Sequence, residues 1–189
     1  MLQTVSRTLG RIGGHTLKTL LFVLAFSLTN KPSSAGDMVF DMPVLAVTGD
    51  RGQCLRVPFE YRRAATDTPL RVMISDDTPV GTGAGIRGSV WLAAVTAAME
   101  RNDTLSGVRL SVEFSGNVDG PSAGGMFCLS VLSALDSRKP PPDFAMTGTI
   151  LPDGTIGLVG GIALKLRAAA AAGIKRVCIP AFLRFEEHL

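Results

Sequence analysis

Beyond residue 35 the apolar positions fall into short runs whose period changes along the chain. The stretch VRLSVEFS (108–115) alternates without a break: Val108, Leu110, Val112 and Phe114 on one side, Arg109, Ser111 and Glu113 on the other. Successive strand side chains point to opposite faces, so this is a half-buried strand. MVFDMPVLAVTG (38–49) and CLRVPFEY (54–61) predict two earlier strands, interrupted by Pro43 and Pro58. Proline cannot donate to a ladder, which predicts edge positions for both. PLRVMIS (69–75) predicts another strand, and DDTPVGTGAGIRG (76–88) a glycine-rich loop. SVWLAAVTAAMER (89–101) changes to a helical period through Val90, Ala94, Ala97 and Arg101. MFCLSVLSALDS (126–137) is apolar on nearly all sides, which predicts a buried helix ended by Pro140–Pro142. FAMTGTILPDGTIGLVGG (144–161) predicts two strands joined at Pro152-Asp153-Gly154. IALKLRAAAAAG then predicts a helix with Gly173 just past its end, and IKRVCIP a closing strand. Strands and helices in this order imply an α+β fold, mixed α/β layers with helices packed on a sheet, without internal repeats.

Length and composition narrow this. At 189 residues, 46% hydrophobic and 19% charged, the chain suits one globular domain with a real core. The formal charge of +3 is modest, and Arg7, Arg11 and Lys18 supply much of it. One Trp, one Tyr and no basic stripe exclude a nucleic-acid surface. Those three cations precede the apolar run Leu20–Leu28, and Ser33 and Ala35 follow as small residues. The three-part pattern predicts a signal peptide over 1–35, with Gly36 starting an exported (periplasmic or extracellular) protein. The run is shorter than the roughly 20 residues of a spanning helix. An uncleaved membrane anchor, or a misassigned start before a cytoplasmic domain, stays open. Residues 36–68 would then supply the domain's N-terminal strands and 69–189 its main part.

Cys54, Cys128 and Cys178 are too few and too scattered for a disulfide framework or a zinc site, and the last two lie in apolar stretches that suggest buried thiols. His15 falls in the leader and His188 is penultimate, which leaves no histidine for a Ser-His-Asp triad or a metal cluster. No cofactor and no metal are expected.

Candidate chemistry gathers at DGPSAGG (119–125). A strand ends near Ser115 and a helix begins within a few residues of Ser122, whose neighbouring N–H groups would be unpaired and suited to an oxyanion. On this stretch alone, Asp119 could equally cap the helix with Ser122 in its first turn. A hydroxyl at neutral pH needs a base. Without histidine that leaves lysine, and GGIALK places Lys165 in the first turns of a helix among Ile162, Leu164 and Leu166. The dipole and the apolar neighbours both disfavour an ammonium there. A lysine on an alanine-rich helix is otherwise an ordinary solvated side chain.

Taken together, DGPSAGG, AMTG (145–148) and LVGGIALKLRAAAAAGIKRVCIP (158–180) resemble the proteolytic domain of Lon-type ATP-dependent proteases, in order and in interval, over roughly residues 70–180. That family uses a Ser-Lys dyad on an α+β fold shared with a ribosomal-protein domain. The resemblance implies Ser122 as nucleophile, Lys165 as general base, Thr147 as the group orienting the lysine, Asp119 near substrate, and Gly120 with the local amides at the oxyanion site. It also implies polypeptide substrates and a homo-oligomeric ring. This chain departs from the family in four respects. Leu164 and Thr149 stand where the family has acids, no P-loop motif ending in Gly-Lys-Ser/Thr occurs, and the domain is C-terminally short at Leu189. The reading is therefore a stand-alone serine endopeptidase that cleaves unfolded or flexible chains without ATP. Two alternatives remain: a catalytically degenerate Lon-like binding or assembly module, and a small-molecule kinase of related fold holding ATP at 119–125.

Overall fold

The computed structural model describes residues 2–6, 36–65, 67–76, 83–115 and 118–181, with backbone alone for 2–6 and Asp76. Most of the leader, and residues 77–82 of the glycine-rich loop, lie outside these residues. Within the stretch assigned to the leader, β1 (Leu2–Ser6) pairs antiparallel with β9 (Arg176–Pro180).

The larger sheet begins as a long hairpin. β2 (Met38–Thr48) and β3 (Arg51–Arg63) turn through Gly49, whose φ of 59° is costly for a residue with a Cβ. β5 (Val108–Phe114) pairs antiparallel with the end of β3 and parallel with β4 (Arg71–Asp76), giving the order β2–β3–β5–β4. A parallel pair needs a crossover, and α1 (Ala84–Arg101) provides it. Pro43 lies on the edge strand β2. Pro58 is in the internal strand β3, but one residue ahead of the β3–β5 ladder, where β3 has a single partner.

α1 begins five residues ahead of its apolar pattern because Ile86, 1% exposed, anchors the extra turn. After β5 a short 3₁₀ turn (Pro121–Ala123) leads into α2 (Gly124–Leu135), which is buried around most of its circumference as its composition implied. The stretch 144–161 holds the two strands expected on either side of Pro152-Asp153-Gly154, and a third before them. β6 (Phe144–Met146) runs parallel to β9, whereas β7 (Thr149–Ile150) forms a two-residue ladder with β8 (Ile156–Gly157). The chain changes sheets at Thr147 and Gly148, whose N–H groups donate to Cys178 O and to Ser122 O. α3 (Ile162–Ala171) follows and ends near Gly173 at φ 77°.

Among the described residues two apolar clusters result. The larger joins α1 and α2 to the inner face of the sheet, including Met42, Val44, Phe59, Tyr61, Leu110 and Phe114. The smaller joins α3, β6 and β9 through Ala145, Ile162, Ala169, Ile174, Val177 and Ile179, with Leu45 of β2. Alternate residues of β2 thus belong to different cores, Met42 and Val44 to one and Leu45 to the other, and all are essentially inaccessible.

Candidate active site

The site lies where the two clusters meet. Ser122 is the middle residue of the 3₁₀ turn, half-buried, with Pro121 leading it. Proline suits the first helical position because its missing N–H has no partner there in any case. Lys165 is the fourth residue of α3 and only 3% exposed. Its backbone N–H donates to Gly161 O at 3.0 Å. Gly161 sits at φ 69°, and a Cβ there would come within 2.8 Å of Val47, so the entry to α3 accepts only glycine.

These two helix starts bring the side chains together. Lys165 Nζ is 3.0 Å from Ser122 Oγ and 3.1 Å from Thr147 Oγ1. Thr147, 1% exposed, donates its hydroxyl to Ser122 O at 3.2 Å. With its one proton committed, the threonine oxygen can only accept from the amine. The amine thus stands between two hydroxyl oxygens, of which that of Thr147 already spends its proton on Ser122 O. Ser122 O also accepts from Gly148 N–H at 2.8 Å, which holds the serine backbone against the threonine segment.

Asp119 is near the serine but does not cap α2. Its Oδ1 accepts from Gly120 N–H at 2.6 Å and from Gly85 N–H, in the first turn of α1, at 3.2 Å. A Cβ on Gly83 would meet the Asp119 carboxylate at about 2 Å, and one on Gly85 would meet it at 3.0 Å. The glycines at the start of α1 thus make room for this carboxylate, a role the sequence pattern did not reveal. Gly120 has φ 96° and directs its amide at Asp119.

Ser122 and Lys165 open onto a groove of about 370 Å³. One wall is Val44–Thr48 of β2; the other includes Leu158, Val159 and Gly160, with Ile86, Val118 and Asp119 between them. The β2 wall was not among the residues singled out, although the unbroken apolar run VLAV is its trace in the sequence. Burial pushes the Cys128 thiol up to about 12, which keeps it protonated and out of competition as a nucleophile.

Comparison with known proteins gives a family likeness. Residues 108–186 match the Lon protease (S16) C-terminal proteolytic domain. A stretch of 62 residues of this chain is 52% identical to a Lon protease from Clostridioides difficile, covering 33% of this chain and 8% of that protein. A Lon protease from Phenylobacterium zucineum is 46% identical over 70 residues, 37% of this chain and 9% of the relative. The archaeal Lon protease of Methanocaldococcus jannaschii is 37% identical over 79 residues, 40% of this chain and 12% of the relative. The chain therefore spans only about a tenth of the length of these Lon proteases. The matched segment holds Ser122, Thr147 and Lys165, while the β2 wall and the Asp119 contact on α1 involve residues before it.

Proposed function

We propose that the protein is a serine endopeptidase in which Ser122 and Lys165 act as a dyad on unfolded or flexible polypeptides, without nucleotide. The observation that carries the reading is the 3.0 Å approach of a buried lysine amine to a hydroxyl on a groove. Burial and the positive end of α3 both favour the uncharged amine, which can accept a proton. Ser122 Oγ attacks the carbonyl carbon of the scissile bond while its proton passes to Lys165 Nζ. The carbonyl oxygen becomes an oxyanion, to be met by the Ser122 and Ala123 N–H groups of the 3₁₀ turn, since those of Gly120, Gly124 and Gly125 already donate to Asp119 Oδ1, Pro121 O and Gly148 O. Collapse breaks the C–N bond, and the ammonium of Lys165 protonates the leaving amine. Water then attacks the Ser122 ester and yields a proton to Lys165; collapse breaks the C–Oγ bond, releasing the acid, and the ammonium returns that proton to Ser122 Oγ. Thr147 acts throughout as the group that aims the amine.

Casein cleavage and labelling by a peptide boronate or fluorophosphonate test this directly, alongside Ser122→Ala and Lys165→Ala. Loss of cleavage in both variants, with folding retained, is expected. ATP-dependent phosphorylation that survives Lys165→Ala would point to a kinase instead, and a folded but inert wild type to a binding module.

A further inference from the structure

One oxygen on the groove has no task in the reaction proposed above. Asp119 lines the groove and is exposed, and its Oδ1 accepts from the Gly120 and Gly85 amides. Its Oδ2 accepts from no group among the described residues, and the carboxylate makes no ion pair with them. The chain neighbours Gly83, Gly85 and Gly120 have no side chains to lay over it. Among the described residues of the lining the other ionisable group is Lys165, which is turned to Ser122 and Thr147. Asp50, Arg51, Arg87 and Arg167 stand within two positions of the lining in sequence, all exposed and none ion-paired with Asp119.

We propose, resting on the Ser122–Lys165 reading, that Asp119 selects a cationic side chain, lysine or arginine, close to the scissile bond of the substrate. A peptide lying in the groove takes water off the carboxylate, and a charged oxygen covered without a donor is strongly unfavourable. An ammonium or guanidinium offsets that with a charge-assisted hydrogen bond. Two backbone amides already hold the carboxylate, so little ordering is lost when it pairs. Val118, next to Asp119, and Ile86, next to Gly85, also line the groove and suit the methylene stem of such a side chain. Asp119 stands three residues before Ser122, at most about 11 Å along the chain. An extended peptide advances about 3.3 Å per residue, so the cation belongs within about three residues of the bond that is cut.

The test steps one lysine through the three positions on each side of the scissile bond of a flexible apolar peptide. Each is compared with the same peptide carrying acetyl-lysine, which keeps the stem and loses the charge. At one or more positions kcat/KM should favour lysine about fivefold, and high salt should bring that ratio close to one. Asp119→Asn keeps an acceptor for the two amides and removes the charge, so its ratio should fall close to one as well. Equal rates for both peptides at every position overturn the proposal. A ratio that survives in Asp119→Asn overturns it too, because another group would then be reading the charge. Should that variant fold poorly, the wild type decides: a ratio indifferent to salt overturns the proposal. Dissociation constants of the same peptides on Ser122→Ala separate this from the hydrolase itself. A wild type that cuts nothing, beside a variant that prefers the lysine peptide, removes the hydrolase and keeps the site. Cleavage without preference removes the site and keeps the hydrolase.

Discussion

The serine side and the lysine side of the groove are built alike and exposed differently. Each reactive atom stands at the start of a helix packed into its own apolar cluster, Ser122 ahead of α2 and Lys165 in α3. Yet Ser122 reaches the groove half-buried, while Lys165 is 3% exposed and wedged beside Thr147. The contrast suits the division of labour proposed above. A nucleophile must touch its substrate, whereas a basic lysine must be kept dry enough to lose its charge.

Removing the dry side should have the largest effect. Lys165→Met keeps the volume and removes the amine; peptide hydrolysis should fall by roughly 10³-fold or more, with the melting temperature unchanged or higher. Equal losses of activity and folding would mean that the lysine is structural. In the wild type, the acylation rate below the amine's pKa should rise about tenfold per pH unit. A flat profile between neutral and alkaline pH would remove Lys165 as the base. Thr147→Val leaves the amine without its acceptor and should cost about 10- to 100-fold in kcat with little change in KM. Thr147→Ser should restore most of it, and a variant as active as wild type would show that packing alone aims the lysine.

A smaller effect tests the larger core by itself. Arg63 forks onto Asp103 at 3.0 and 2.6 Å. Burial alone would raise the Asp103 carboxyl, but the Arg63 hydrogen bonds, the Leu105 amide and the Arg63 charge outweigh it and hold the pKa below 3.8. A depressed carboxylate stabilises the fold fully above its unfolded pKa and ceases to as pH falls through the folded one. Asp103→Asn should therefore cost about 1 kcal/mol in denaturant melts at neutral pH. The difference should shrink below about pH 4. Hydrolysis by the Ser122 side should be unaffected.

How legible the molecule was in its sequence follows the range of the contacts. β5, α2 and the glycine end of α3 were readable because their determinants are local: alternation, an all-apolar helix, a left-handed Gly173. In 144–161 the strand pair around Pro152-Asp153-Gly154 was readable too, but the separate strand before it was not, since β6 finds its partner in β9, some thirty residues on, and Thr147 and Gly148 bond to two different elements. α1 began early because of Ile86 and an aspartate 34 residues away at Gly85. For the site, a serine in a turn and a lysine on a helix were each ordinary by themselves. It took three sequence blocks in family order to single them out, and coordinates to set them 3.0 Å apart across 43 residues of chain. The groove wall of β2 stayed hidden because a free strand edge leaves no period of its own.

That wall has a consequence for the protein's own safety. Since neighbouring residues of β2 are claimed by opposite cores, slipping the strand by one position would expel both sets at once. Amine and hydroxyl can then come within reach only after each half of the molecule has closed on the shared strand. On the proposed function, a nascent chain of this design would carry no cutting power while its own loops are most open to attack, and would acquire it in the step that buries them. The fold itself would then supply the delay that a removable inhibitory segment provides elsewhere.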